Sequence, residues 1–144
     1  FVTPASATSG GAAVNFNVTS VFLDPFNGNV TGTMANSTLS VAVTSGSTAG
    51  ISLSVAAGGN LITSSGSTIL HNGTAFATIT SNTAGNLLIT FNASANTTRI
   101  TALIKQLRLQ AASGTTLGAR TLTTTLTEAS DGDTVTAVGT TTIN

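Results

Sequence analysis

A chain of 144 residues has the size of one domain, with room for at most an extended arm beside it. Only 6% of its residues are charged, and four Lys/Arg balance four Asp/Glu, so no basic patch is available to hold nucleic acid. Cysteine is absent, which excludes disulfides and thiol chemistry, and no apolar run approaches the ~20 residues that insert across a bilayer. Polarity comes instead from Thr, Ser and Asn. Threonine is β-branched and suits a half-exposed pleated face, so the composition favours strands.

Residues 1–11 (F-V-T-P-A-S-A-T-S-G-G) read as an extended arm or linker. Over 12–19, Val14, Phe16 and Val18 alternate with Asn15, Asn17 and Thr19, which predicts a strand with one buried face. The run D-P-F-N-G-N then predicts a turn through Pro25 and Asn27-Gly28. Leu39, Val41 and Val43 mark a second strand; Ile51, Leu53 and Val55 mark a third, ended by Gly58-Gly59. Residues 66–80 form a hairpin, with Ile69 on one arm and Asn72-Gly73 at the turn. Residues 87–91 are apolar nearly throughout and predict a central strand. Across 97–106 the period changes: Ile100, Leu103, Ile104 and Leu107 follow a helical stripe, with Thr97 or Thr98 as its cap. Residues 107–110 return to strand, and 120–129 with 134–143 predict an antiparallel pair joined at Asp131-Gly132. Short strands between turn signals predict an all-β sandwich with Greek-key connections, one short helix near 97–106, and a single domain over 12–144.

Four stretches recur in a recognisable order: G-S-T-I-L-H-N-G-T-A-F-A-T-I-T, L-L-I-T-F-N-A-S-A-N, I-T-A-L-I-K-Q-L-R-L-Q and R-T-L-T-T-T-L-T-E-A-S-D-G-D-T. In this order the chain resembles the cadherin-like, immunoglobulin-type repeats of large bacterial surface proteins and adhesins. T-L-S-V-A-V-T and I-S-L-S-V extend the likeness toward the N-terminus. The resemblance implies an immunoglobulin/cadherin-like Greek-key sandwich, secreted or on the cell surface, that serves as a structural or adhesive module. Such repeats are often tandem, and many hold calcium between domains. Here N-G-N-V-T-G-T-M-A-N-S stands where the family carries an acidic segment.

Glu128, Asp131 and Asp133 in E-A-S-D-G-D are the candidate metal ligands, for calcium. Calcium takes about six to eight oxygens, so these three would need Asp24, main-chain carbonyls or a neighbouring subunit. The same Asp-Gly pair favours a plain hairpin turn with solvated acids. Six N-x-S/T sequons occur, and Asn29, Asn36, Asn72 and Asn96 lie near predicted turns, where a glycan would fit; Asn17 and Asn92 are the others. His71, the lone histidine, sits beside the Asn72-Gly73 turn and reads as a polar surface residue. No triad signature, metal-ligand spacing or phosphate loop is present, so no enzyme is expected. Arg99, Lys105 and Arg108 surround the helical patch, either as solvated residues or as a small cationic surface for an anionic glycan or an acidic turn. Phe1 and Val2 are strand-prone and are the expected subunit contact, adding to a neighbour's sheet edge such as T-A-V-G-T-T-T-I-N. The sequence therefore points to an extracellular structural subunit of a filament, sheath or surface layer, with copies of itself as partner. The alternative is an adhesin repeat that binds a surface glycan within a tandem-repeat protein.

Overall fold

Aliphatic residues alternating with hydroxyl residues write two faces onto each strand, and burying the aliphatic faces produces two sheets with a common interior. The structure, a computed structural model, describes residues 4, 6–16, 33–130 and 132–144. Among these, eleven strands and one helix follow in order: β1 Ser6–Ala7, β2 Val14–Asn15, β3 Thr38–Ser45, β4 Ile51–Val55, β5 Ile62–Ser65, β6 Thr68–His71, β7 Thr74–Thr83, β8 Asn86–Phe91, α1 Thr97–Lys105, β9 Leu107–Ala111, β10 Gly118–Thr127 and β11 Thr134–Ile143. The larger sheet runs β1-β11-β10-β3-β8-β7-β6-β5, and the smaller runs β2-β9-β4. All pairings are antiparallel except β1 with β11. The fold is an all-β sandwich with one short helix.

The core combines Leu39 and Val41 of β3, Leu87 and Ile89 of β8, and Leu122 and Leu126 of β10 with Ile51, Leu53, Leu107 and Leu109 of the small sheet. Helix α1 adds Ile100, Leu103 and Ile104, the predicted apolar stripe, to the same cluster. The two sheets are also tied by polar bonds. The Gly85 amide donates to the Ile51 carbonyl at 2.8 Å, and Asn82 Nδ2 donates to the Leu53 carbonyl at 3.2 Å.

Most predicted strands appear where the alternation placed them, and β8 lies centrally between β3 and β7. Asn72 (φ 48°) and Gly73 (φ 81°) supply the two left-handed residues of a tight hairpin turn between β6 and β7. Three features differ. The helix is capped by Asn96, not by Thr97 or Thr98: Asn96 Oδ1 accepts from the Arg99 amide at 2.9 Å, and both threonines lie inside the first turn. Strand β5 was not expected, because I-T-S-S carries one buried apolar residue, Ile62, and is defined by its pairing with β6. The described part of the expected arm is docked. Ala7 is buried, β1 pairs with Thr142 and Ile143, the Ser9 amide donates to the Asn144 carbonyl, and the Gly10 amide donates to the Ala111 carbonyl. Of the strand expected over 12–19, β2 and buried Phe16 are seen, while 17–19 and the 24–28 turn lie outside the described residues.

Two consecutive residues other than glycine, Asn60 (φ 50°) and Leu61 (φ 60°), adopt the left-handed conformation ahead of β5. For the leucine this costs about 1–2 kcal/mol.

Arg120 faces inward on β10 and is only 3% exposed, yet among the described residues no carboxylate is bonded to it. Its guanidinium instead donates to main-chain carbonyls: Ser47 at 2.7 Å, Thr116 at 2.6 Å, and Gly118 and Ala119 at 3.2 Å each. This fork pins the loops on either side of β10's first residues. Arg120→Lys keeps the charge but cannot reach these divergent carbonyls together, and should cost about 2 kcal/mol or more in chemical denaturation. An unchanged midpoint would show that the fork adds nothing.

Candidate functional site

Strand parity determines what the acidic turn can do. Side chains along β10 alternate, so Arg120, Leu122, Thr124 and Leu126 point inward, and Glu128 inherits that direction just past the strand. Glu128 is 3% exposed. Its Oε1 accepts from Ser130 Oγ at 2.7 Å, its amide donates to the Asp133 carbonyl at 2.8 Å, and its carbonyl accepts from the Gly132 amide at 3.0 Å. Nearby, the Ala129 amide donates to Oγ of buried Ser37 at 3.0 Å, which fastens the turn to the start of β3. Glu128 Oε2 is buried without a hydrogen-bond partner.

Two of the three predicted ligands are placed by the structure, and they face different surroundings. Glu128 points into the core, Asp133 is exposed, and Asp131 lies outside the described residues. Among the described residues no group of three or more His, Cys, Asp or Glu side chains is arranged to hold a metal ion. One buried carboxylate oxygen falls well short of a calcium shell, so the functional reading below does not depend on calcium.

Of the glycosylation candidates, Asn36 and Asn72 are exposed at turns with positive φ. Asn96 is exposed too, with its Oδ1 engaged as the helix cap. Asn92 uses both ends of its amide, donating to the Ala75 carbonyl and accepting from the Ser94 amide. Asn29 and Asn17 lie outside the described residues, as do Phe1 and Val2. The expected cationic cluster divides: Arg99 and Lys105 sit on α1, whereas Arg108 sits on β9 and its Nε donates to Asn15 Oδ1 at 2.8 Å. His71 is half-buried, its ring edge-on to Phe76 with centroids 6.5 Å apart.

A further element bearing on association is the edge of the large sheet. Strand β11 pairs with β10 along all ten residues, but β1 covers only Thr142 and Ile143 on its other side. Among the described residues, Thr134 to Thr141 has no other main-chain ladder partner on that side. The sequence of this stretch, T-V-T-A-V-G-T-T, has no charge and no proline, the usual devices that blunt an edge, and at its end Thr141 is buried with its Oγ1 donating to the Pro4 carbonyl. Val138 on it is 67% exposed. The opposite edge, β5, is four residues long. No helix among the described residues is long and apolar enough to cross a membrane.

In comparisons with known proteins, the chain matches no family model, no curated protein and no solved structure.

Thr124 shares the inward row of β10, is fully buried, and its Oγ1 also lacks a partner. Thr124→Val replaces the hydroxyl with a methyl of similar shape and should stabilise the fold by about 1 kcal/mol in thermal or urea unfolding. A loss of stability would mean that the hydroxyl is satisfied after all.

Proposed function

We propose that this chain is an extracellular structural protein, a subunit of a filament, sheath or surface layer that assembles by strand addition between copies. The observation that carries this reading is the long, uncharged edge of β11. An edge strand presents a row of main-chain donors and acceptors, and a partner strand gains affinity from them without needing complementary side chains. Zero net charge removes the long-range repulsion that keeps ordinary subunits apart.

The pairing of β1 suggests how the added strand would lie. Ser6 stands opposite Thr142 and Ala7 opposite Ile143, in parallel. The same register is open to the arm of a neighbouring copy. Donation of the arm by each copy to the next, without reciprocal exchange, makes a heterologous, head-to-tail contact, and such contacts propagate into filaments unless the rotation closes a ring. The resemblance to tandem surface repeats fits an extracellular setting. The other reading, an adhesin repeat within a longer protein, draws its support from the groove described below.

Lysine on an edge strand is a common natural block to edge pairing. Thr136→Lys and Val138→Lys alter exposed side chains of β11 and should leave the folded monomer within about 0.5 kcal/mol of the parent. Negative-stain electron microscopy should show filaments or sheets from the parent chain, with or without a calcium chelator, and none from the lysine variants. Assemblies unaffected by the lysines, or a parent chain that stays monomeric, would contradict strand addition at β11.

A further inference from the structure

We infer that a groove along helix α1 binds an acidic saccharide, of the uronic-acid-bearing class. This goes beyond the assembly reading and does not depend on it. The groove has two parts. A hollow of about 470 Å³ lies between the Asn60-Leu61 turn, His71 at the end of β6, and Thr98, Thr101 and Lys105 of α1. A second hollow of about 270 Å³ shares His71 and Thr98 and leads past Asn96 to Arg99. The two hollows adjoin through their shared residues and make up the trough, with Lys105 lining the first and Arg99 the second.

One wall of the trough is held in a costly conformation. Leu61 is left-handed, and its side chain is 61% exposed, so core burial does not compensate the strain. The turn is nevertheless fixed from several sides. The Gly58 amide donates to the Ile62 carbonyl, the Ile62 amide to the Gly59 carbonyl, and the Asn72 amide to the Leu61 carbonyl. Asn60 Nδ2 donates to Oε1 of Gln106, the C-cap of α1, at 3.2 Å, and Gln106 Nε2 donates to the Ala56 carbonyl at 3.0 Å. Gly59 permits this approach, since a Cβ there would lie 2.7 Å from Gln106 Nε2. A strained residue locked by its surroundings, with its side chain left in solvent beside a cavity, is the pattern expected of a ligand-contacting position.

The lining chemistry selects the ligand. Threonine hydroxyls and asparagine amides offer donors and acceptors to a ligand rich in hydroxyl groups. Leu61 and Ala102 give a small apolar surface for the C–H face of a sugar ring, and the His71 ring, steadied by Phe76, stands between the two hollows. Among the described lining residues Lys105 and Arg99 are the charged ones and no carboxylate accompanies them, so the trough favours an anion, although Arg99 Nη1 also donates to the Ser94 carbonyl. Two cations are too few for the phosphate-by-phosphate neutralisation that nucleic acid needs. A carboxylated saccharide combines the hydroxyls, apolar faces and spaced negative charges that match this lining.

The test is isothermal titration calorimetry of the full chain with tetragalacturonate, using cellotetraose as the neutral control and a short polyglutamate as the acidic non-sugar control. The parent should bind tetragalacturonate and bind either control at least about tenfold more weakly. Lys105→Ala should weaken binding about tenfold, with a smaller salt dependence in what remains. Leu61→Gly should weaken binding while raising the melting temperature, because glycine relieves the left-handed strain. No binding of tetragalacturonate, or equal binding of cellotetraose, would overturn the proposal, and polyglutamate binding as well as the sugar would overturn the saccharide assignment. A fall in melting temperature for Leu61→Gly would mark Leu61 as structural and remove the strain argument.

Discussion

Strand β10 is the element on which the rest of the large sheet depends. It pairs with β11 along ten residues and with β3 along seven, so the sheet is continuous only through it. Its alternation sends Leu122 and Leu126 into the core and Thr121, Thr123, Thr125 and Thr127 to the outer face. The outer residues continue from strand to strand. Thr134, Thr127, Thr38, Thr90, Thr78 and Thr68 are successive cross-strand neighbours from β11 to β6. Side-chain hydrogen bonds stitch the same face, between Thr44 and Thr123 at 2.9 Å and between Thr80 and Thr90 at 3.2 Å. Such a face is wetted by hydroxyls, with methyl groups between them. It explains how a chain with so few charges can keep an open sheet surface in water.

The same parity forces two charged side chains inward near the ends of β10, and their environments differ. Arg120 finds carbonyl acceptors around its whole fork. Glu128 finds one hydroxyl, and its other oxygen has no partner. A buried carboxylate oxygen left without a donor costs stability, whereas a guanidinium surrounded by carbonyls contributes to it. The acidic turn is thus built into the core at Glu128 and open to solvent at Asp133. Among the described residues, then, Glu128 and Asp133 turn to different surroundings although they lie close in sequence.

The elements legible in the sequence were those whose own side chains carry the signal. Helix α1 was readable because four aliphatic residues fall at helical spacing, and the β6–β7 turn because Asn72-Gly73 suits left-handed backbone. Strand β1 and strand β5 were not readable, since each buries a single apolar residue, Ala7 or Ile62, and is defined by its main-chain pairing, β1 with the distant β11 and β5 with the adjacent β6. The cap was misplaced because Asn96, Thr97 and Thr98 can all cap, and only the helix start decides among them. The burial of Arg120 and Glu128 did have a signal: both share the parity of Leu122 and Leu126. Leu61 had none. Leucine is no turn former, and the turn that holds its left-handed backbone is fastened by the Asn60–Gln106 hydrogen bond, between residues far apart in the chain.

The two edges of the large sheet are unequal. Strand β5 is too short to recruit much of a partner, whereas β11 offers a long uncharged row that β1 pairs, among the described residues, only at Thr142 and Ile143. Assembly through that row is the central claim, and amide hydrogen exchange tests it at the atoms concerned. In an antiparallel strand, alternate amides point away from the paired neighbour. In monomers, the outward-pointing amides between Thr134 and Thr141 should exchange quickly, while those bonded to β10 are protected. In assembled material those same outward amides should become protected. Assemblies in which they still exchange at the monomer rate would contradict strand addition at β11.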